Sequence, residues 1–274
     1  EETGGTQIAD RKDPVTGLPA YSLYGKTRQP TKEMLAGLAP LLFDLQDIGA
    51  RSYTYAGTMV ACLKGCAENN VELIILDRPN PLGGNRIEGP MLQAASESLV
   101  ARLATPYVHG MTMGELAQFY NGTLHINANL KVVPVAGWRR DIWFDLTGLP
   151  WVKPSPNMAN LHSAMLYPAL VMFEAANVSV GRGTSTPFQL IGAPWKKSAQ
   201  LLALLKDRPL TGVRFSAENF TPVNPSDGMF GGQTIPGIRI TVTDRSSMQV
   251  ARVGATLLWA INKISPNGLK IELP

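Results

Sequence analysis

The stretch Leu73–Pro90, LIILDRPNPLGGNRIEGP, constrains this chain more than any other. It opens inside an aliphatic run, Val71–Leu76, broken only by Glu72. Such a run is the pattern of a strand buried on both faces. At its carboxyl end the chain turns polar and stiff, through Asp77, Arg78, Pro79, Asn80 and Pro81 to Gly83-Gly84 and Glu88-Gly89-Pro90. Two prolines fix φ and the paired glycines reach conformations other residues avoid, so the loop has a defined shape. Ligands of open α/β sheets bind outside the carboxyl ends of the strands. Glu88 is therefore the first carboxyl group with a claim to chemistry. The competing reading is a surface turn carrying an incidental glutamate.

The flanking segments repeat this logic. Leu41–Ile48 reads as another buried strand, with Asp44, Asp47 and Arg51 near its carboxyl end, and Tyr53–Asn70 carries apolar residues at helical spacing. Strand, helix and strand within some forty residues predict a parallel βαβ unit. Thr112 and Glu115 have the spacing of a capping box, so a helix cap competes with any catalytic role for Glu115. Leu130–Val135 reads as a strand, and Leu161–Ala176 as a helix that Pro168 kinks or splits. WVKPSPNMAN (Trp151–Asn160) is a second rigid loop, with Ser155 and Asn157 as candidate ligand contacts. Gly181-Arg182-Gly183-Thr184 could wrap an anion, with backbone N–H groups and the arginine fork acting together. It lacks the spacing and lysine of a P-loop.

From Gly192 the texture changes. Ser198–Lys206 and Met248–Ile264 read as helices; Val213–Phe220, Gly237–Thr243 and Ile271–Leu273 read as strands. The expectation is a mostly parallel α/β sheet with helices on both faces over 1–190, then a smaller α+β domain over 191–274.

The 274 residues are 45% hydrophobic and 17% charged, a globular balance. A net charge of +4, without basic runs interleaved with aromatics, gives no nucleic-acid face. Cys62 and Cys66 read as small core residues. With three histidines and no CxxC or HExxH, neither a metal site nor a cofactor is expected. No apolar run is long enough to span a membrane, and the sequence shows no signal peptide.

Motif order then carries more than any single motif. FDLQDIGARSYTY (Phe43–Tyr55), LDRPNPLGG…EGP (Leu76–Pro90), HGMTMGELA (His109–Ala117), LPWVKPSPN (Leu149–Asn157) and SVGRGTSTPFQLIGAPW (Ser179–Trp195) occur in sequence. The chain resembles the NamZ/YbbC-like family of exo-β-N-acetylmuramidases. The likeness runs from DPVTGLPAYSLYGKT (Asp13–Thr27) to ITVTDR (Ile240–Arg245). It implies a Rossmann-like α/β domain followed by a smaller domain with the site in the cleft between them. It also implies removal of N-acetylmuramic acid from the non-reducing ends of peptidoglycan fragments, and an extracytoplasmic location.

Two departures stand out. Family members carry further strands and an SPEHG-like motif before the DPxTGLP turn, so the sequence is expected to be truncated at its N-terminus. The family pattern FEGTNxSEGRGT appears as FEAANVSVGRGT (Phe173–Thr184), with Val180 in place of a glutamate. The alternative expectation is accordingly a binder of cell-wall fragments that has lost the chemistry.

Glycoside hydrolysis commonly takes two carboxyl groups, an acid and a nucleophile or base. Glu88 is the expected acid, because a clamped loop can bury it and raise its pKa, and Asp47 is the expected partner. Asp44, Asp77, Arg78 and Asn80 are expected to line the same crevice, although Asp44 and Asp77 could equally bind loop N–H groups or the adjacent arginines. The lactyl carboxylate of muramic acid suits an arginine fork, which makes Arg51 and Arg182 the expected clamps. Asn157 and His109 would complete the polar lining, and Tyr53 and Tyr55 are candidates for stacking on the sugar. For His109 a hydrogen bond that holds the turn before Gly110 is an equal alternative. Glu174 is the reserve acid, against a structural hydrogen bond.

Overall fold

The computed structural model describes residues 9–93, 104–195 and 197–271. It contains two compact units: a first ending at Gly148, and a second from Leu149 onward that also takes in Glu88–Pro90.

In the first unit β1 (Arg11–Lys12) and β2 (Pro19–Ala20) form a small hairpin around Asp13, whose carboxylate accepts the N–H groups of Val15 and Thr16. The short α1 (Lys32–Leu35) is capped by Thr31. Next come β3 (Pro40–Phe43), α2 (Thr54–Asn69), β4 (Glu72–Leu76), α3 (Met113–Thr123) and β5 (Leu130–Val133). The three strands make a parallel sheet in the order β3-β4-β5. Strand β3 is shorter than the apolar run predicts, because Asp44–Gly49 leave the ladder to form the loop that carries Asp47.

Helices α2 and α3 pack on each other and both touch β4, so the two long helices of this unit share one face of the sheet. Leu73 and Ile75 are wholly buried. Side chains alternate across a strand, so the neighbouring positions point the other way, and there Leu42 and Val133 are 56% and 43% exposed. The capping box on α3 is present in full.

The second unit contains α4 (Leu161–Leu170), β6 (Leu190–Gly192), α5 (Ser198–Lys206), β7 (Val213–Phe220), β8 (Ile235–Val242) and α6 (Val250–Ile264). Its sheet is antiparallel in the order β6-β8-β7. Pro168 lies inside α4, which tightens at once into a 3-10 turn, Val171–Ala175. Helix α6 buries Val250, Val253, Leu257, Ala260 and Ile261, the stripe expected of a period of 3.6 residues. Gly254 lets α6 lie close on α4: a Cβ there would stand 2.7 Å from the Ala169 carbonyl oxygen.

The division near residue 190 expected from sequence differs from this arrangement. Residues 149–189 are drawn into the second unit because α4 packs on α6, Ser179 bridges Gly192, and the Asn177 N–H donates to the Lys270 carbonyl. Of the strand expected over Ile271–Leu273, Ile271 bridges Ala176, and the rest lies outside the described residues.

Candidate functional site

The polar loops of the first unit hold one another. The Asp77 carboxylate accepts the Thr112 hydroxyl and the Gly114 N–H, both at 2.7 Å, at the N-terminus of α3. Gly114 is required there, since a Cβ would come within 2.9 Å of Asp77. Asn80 is buried: its Nδ2 donates to the Met111 carbonyl at 3.0 Å and its Oδ1 accepts the Leu82 N–H at 3.0 Å. The Asn80 amide lies directly against Gly49, whose φ of +79° no side chain adopts without strain. Arg78 Nε donates to Asp44 at 2.7 Å in a half-exposed pair. Arg51 Nη1 donates to the Thr105 carbonyl at 2.5 Å and its guanidinium stands over the Tyr107 ring, with burial lowering its pKa.

Asp47 is only 5% exposed, and its Oδ2 accepts the Gly49 N–H at 2.7 Å. The His109 side chain is fully buried, with Nε2 3.6 Å from Asp47 Oδ2. Its Nδ1 accepts the Met111 N–H, so the neutral ring carries its proton on Nε2, toward Asp47. This is the turn-holding bond weighed above for His109. Tyr53 and Tyr55 are also buried, in edge contact with centroids 4.9 Å apart. They meet because Tyr53 is the N-cap of α2 and lies outside the helix. In this arrangement Asp47, His109, Tyr53 and Tyr55 are interior groups of the first unit, where catalytic or substrate-facing roles were expected.

Glu88 belongs to the second unit. Its Oε2 accepts the Ala251 N–H at 3.1 Å, in the first turn of α6, where backbone N–H groups have no partner within the helix. The carboxylate is thereby fixed in place by a helix end.

The second unit also brings together three loops far apart in sequence. The WVKPSPN loop, the GRGT loop and the segment Asn224–Ser226 enclose a cavity of about 340 Å³. It is lined by Lys153, Asn157, Thr184, Ser185, Asn224 and Ser226, among others. Gly183 sits where the loops meet: its carbonyl accepts the Val223 N–H at 2.8 Å, and a Cβ would stand 2.7 Å from the Val223 carbonyl oxygen.

Behind the cavity, Arg182 organises the polar groups. Its Nε and Nη2 both donate to Glu174 Oε1 at 2.6 Å, and its Nη1 donates to Ser226 Oγ at 3.1 Å. Asp227 stands 3.9 Å away. Asn157 Nδ2 donates to the same Ser226 oxygen at 3.2 Å. The Glu174 side chain keeps 27% of its surface, and burial raises its pKa despite the opposing Arg182 charge and hydrogen bond. The arginine fork expected to clamp a substrate carboxylate is therefore engaged by a carboxylate of the protein itself. Val180, where the family pattern has a glutamate, is wholly buried, and its carbonyl accepts the Phe188 N–H.

The structure thus unites Asn157, Glu174 and Arg182, all expected from sequence, in the second unit. Lys153, Asn224, Ser226 and Asp227 were not among the expected residues. The signal for the last three was Asn224-Pro225-Ser226-Asp227-Gly228, a strong turn sequence that closes with the Gly228 N–H on the Pro225 carbonyl. Among the described residues no group of three His, Cys, Asp or Glu could hold a metal ion.

Comparison with known proteins agrees with the architecture in both units. Residues 1–162 match the family model "Exo-beta-N-acetylmuramidase NamZ, N-terminal", and residues 165–272 match its C-terminal counterpart. The chain is 44% identical over 262 residues to the peptidoglycan beta-N-acetylmuramidase NamZ of Bacillus subtilis (strain 168), covering 96% of this chain and 63% of that protein. A crystal structure of a DUF1343 family protein from Bacteroides fragilis NCTC 9343 superposes with a TM-score of 0.87 at 37% identity, over 93% of this chain and 67% of that one. Another DUF1343 protein from the same organism gives 0.65 at 33% identity, over 84% and 59%. With both halves matched in order and the fold shared, the chain belongs to the NamZ family of exo-β-N-acetylmuramidases.

Proposed function

We propose that this chain acts as a glycoside hydrolase that releases N-acetylmuramic acid from the non-reducing ends of peptidoglycan fragments. The observation that carries the reading is the 44% identity, across nearly the whole chain, to a relative named for that chemistry. The same reading places its work outside the cytoplasmic membrane, where peptidoglycan lies. Among the described residues no helix is long and apolar enough to cross a membrane.

Two carboxyl groups of the second unit fit the two roles that glycoside cleavage needs. Glu174 serves as proton donor, because burial raises its pKa and so favours its protonated form. Its Oε1 is fixed by Arg182, so the carboxyl group has a single orientation. Glu88, held by the first turn of α6, serves as the partner carboxylate. Asp47, bound to Gly49 in the interior of the first unit, shapes its loop. The chemistry invoked needs neither metal nor cofactor.

The test is release of free N-acetylmuramic acid from a muramic-acid-capped disaccharide by the parent chain, Glu174→Gln and Glu88→Gln. Turnover by the parent with deep losses in both variants is expected. Full activity in Glu174→Gln would remove it as the acid. A second reading, a binder of cell-wall fragments without turnover, draws on the apolar, buried Val180. Sugar binding by a parent chain that releases nothing would favour it.

A further inference from the structure

The cavity of the second unit has a polarity that the proposed hydrolysis does not by itself require. Among the described residues that line it, Lys153 is the one charged side chain and none is a carboxylate. Lys153 is exposed, and none of the described ion pairs engages it. The nearby arginine is unavailable, since Arg182 is committed to Glu174 and Ser226.

The hydroxyls of the cavity differ in what they can still donate. Thr184 Oγ1 donates to the Gly181 carbonyl at 2.7 Å and accepts the Thr186 N–H, so its hydrogen is used. Ser226 Oγ accepts from both Asn157 Nδ2 and Arg182 Nη1. Two accepted bonds fill its lone pairs and leave the O–H hydrogen to donate outward. The cavity therefore offers one ammonium group and, in Ser226, a hydroxyl fixed as a donor, beside the Ser185 hydroxyl and the Asn224 amide, in a volume of about 340 Å³. A cavity of this size admits the carboxylate-bearing arm of a sugar.

We propose that this cavity recognises the carboxylate of an acidic amino sugar, with Lys153 as counter-charge and the Ser226 hydroxyl as hydrogen-bond donor. The inference rests on the muramidase reading for the identity of the sugar: N-acetylmuramic acid differs from N-acetylglucosamine by its lactyl ether, and hence by one negative charge. Lys153 and Ser226 are then the residues that separate the two sugars. A lysine holds a carboxylate as a point charge, and the serine supplies the direction that a point charge lacks.

The experiment is calorimetric titration of the parent chain and Lys153→Gln with N-acetylmuramic acid, N-acetylglucosamine and inorganic phosphate, alongside KM and kcat for muramic acid release. Lys153 is exposed, so the variant is expected to keep the parent's melting temperature, which is measured first. The expected result is a tenfold or greater loss of N-acetylmuramic acid affinity in the variant, appearing as a raised KM with kcat little changed. N-acetylglucosamine binding should stay as it is in the parent. Equal N-acetylmuramic acid affinity in both chains would overturn the proposal, as would a parent that binds the two sugars alike. Phosphate competing as strongly as the sugar would show a general anion site and also overturn it. Lysine-dependent sugar binding without any release would uphold this inference and sink the hydrolase reading; release with an unchanged KM in the variant would do the reverse.

Discussion

As sequence, the DRPNPLGG loop of the first unit and the GRGT loop of the second are built alike. Each follows an apolar segment, each is stiffened by glycine or proline, and each carries a charged fork beside small polar residues. In the structure they do different things. Asp77 and Asn80 direct their hydrogen bonds inward, to Thr112, Gly114, Met111 and Leu82. Arg182 of the GRGT loop holds Glu174 and Ser226, and Ser226 lines a cavity with Lys153 of the WVKPSPN loop. A polar loop is thus a site only if donors or charges remain after its own backbone has been satisfied.

That contrast can be broken by experiment. Asp77→Ala removes three hydrogen bonds to a carboxylate, from Arg78, Thr112 and Gly114, and leaves the Gly114 N–H at the start of α3 without its acceptor. Bonds to charged groups are worth about 1.5–3 kcal/mol, so a loss of about 3 kcal/mol in urea unfolding is expected. Sugar affinity of the folded fraction should be retained. A stable Asp77→Ala protein with lost affinity would make the first loop a ligand site after all.

Ser226→Ala should do the opposite. Asn157 and Arg182 are only partly buried and can turn to water, so the melting temperature should hardly move. Affinity for N-acetylmuramic acid should fall by about fivefold, or about 1 kcal/mol, the ordinary worth of one hydrogen bond. Unfolding without a change in affinity would assign the serine to the frame.

The smallest expected effect concerns the thiols on α2. Burial pushes Cys62 up to about 12 and Cys66 up to about 11, so both stay protonated near neutrality. Thiolates are the reactive form, and iodoacetamide at about pH 8 should leave the native chain unlabelled while marking both residues once it is unfolded in urea. Rapid native labelling would show that the first unit opens readily and is less rigid than its interlocked loops imply.

Much of the fold was legible in the sequence because it rests on period and punctuation. The aliphatic run at Val71–Leu76, the Thr112–Glu115 box and the stripe on α6 each state a local structure unambiguously. The place where the units divide was not legible. Leu161–Leu170 announces a helix but not its partner, and its packing on α6, some ninety residues later, decides the unit. The site was half legible for a related reason. Asn157 and Arg182 stand in conspicuous loops and Glu174 at the end of an apolar helical run, whereas Ser226 gains its meaning only from two donors that arrive from elsewhere in the chain. Asp47 and His109 show the converse, since residue types suited to catalysis lie buried here, the one accepting the Gly49 N–H and the other the Met111 N–H.

If Glu174 delivers the proton, the pH dependence of muramic acid release carries its signature. Burial raises the Glu174 pKa, so the proton-donating form persists to higher pH than on a free glutamate and disappears as pH rises through the raised value. The parent's kcat/KM should therefore fall on the alkaline side of that value. Glu174→Gln should lose roughly 10²–10⁴-fold in rate, the usual contribution of a positioned acid, and with it that alkaline limb. An alkaline limb that survives in Glu174→Gln, at a rate near the parent's, would contradict the account.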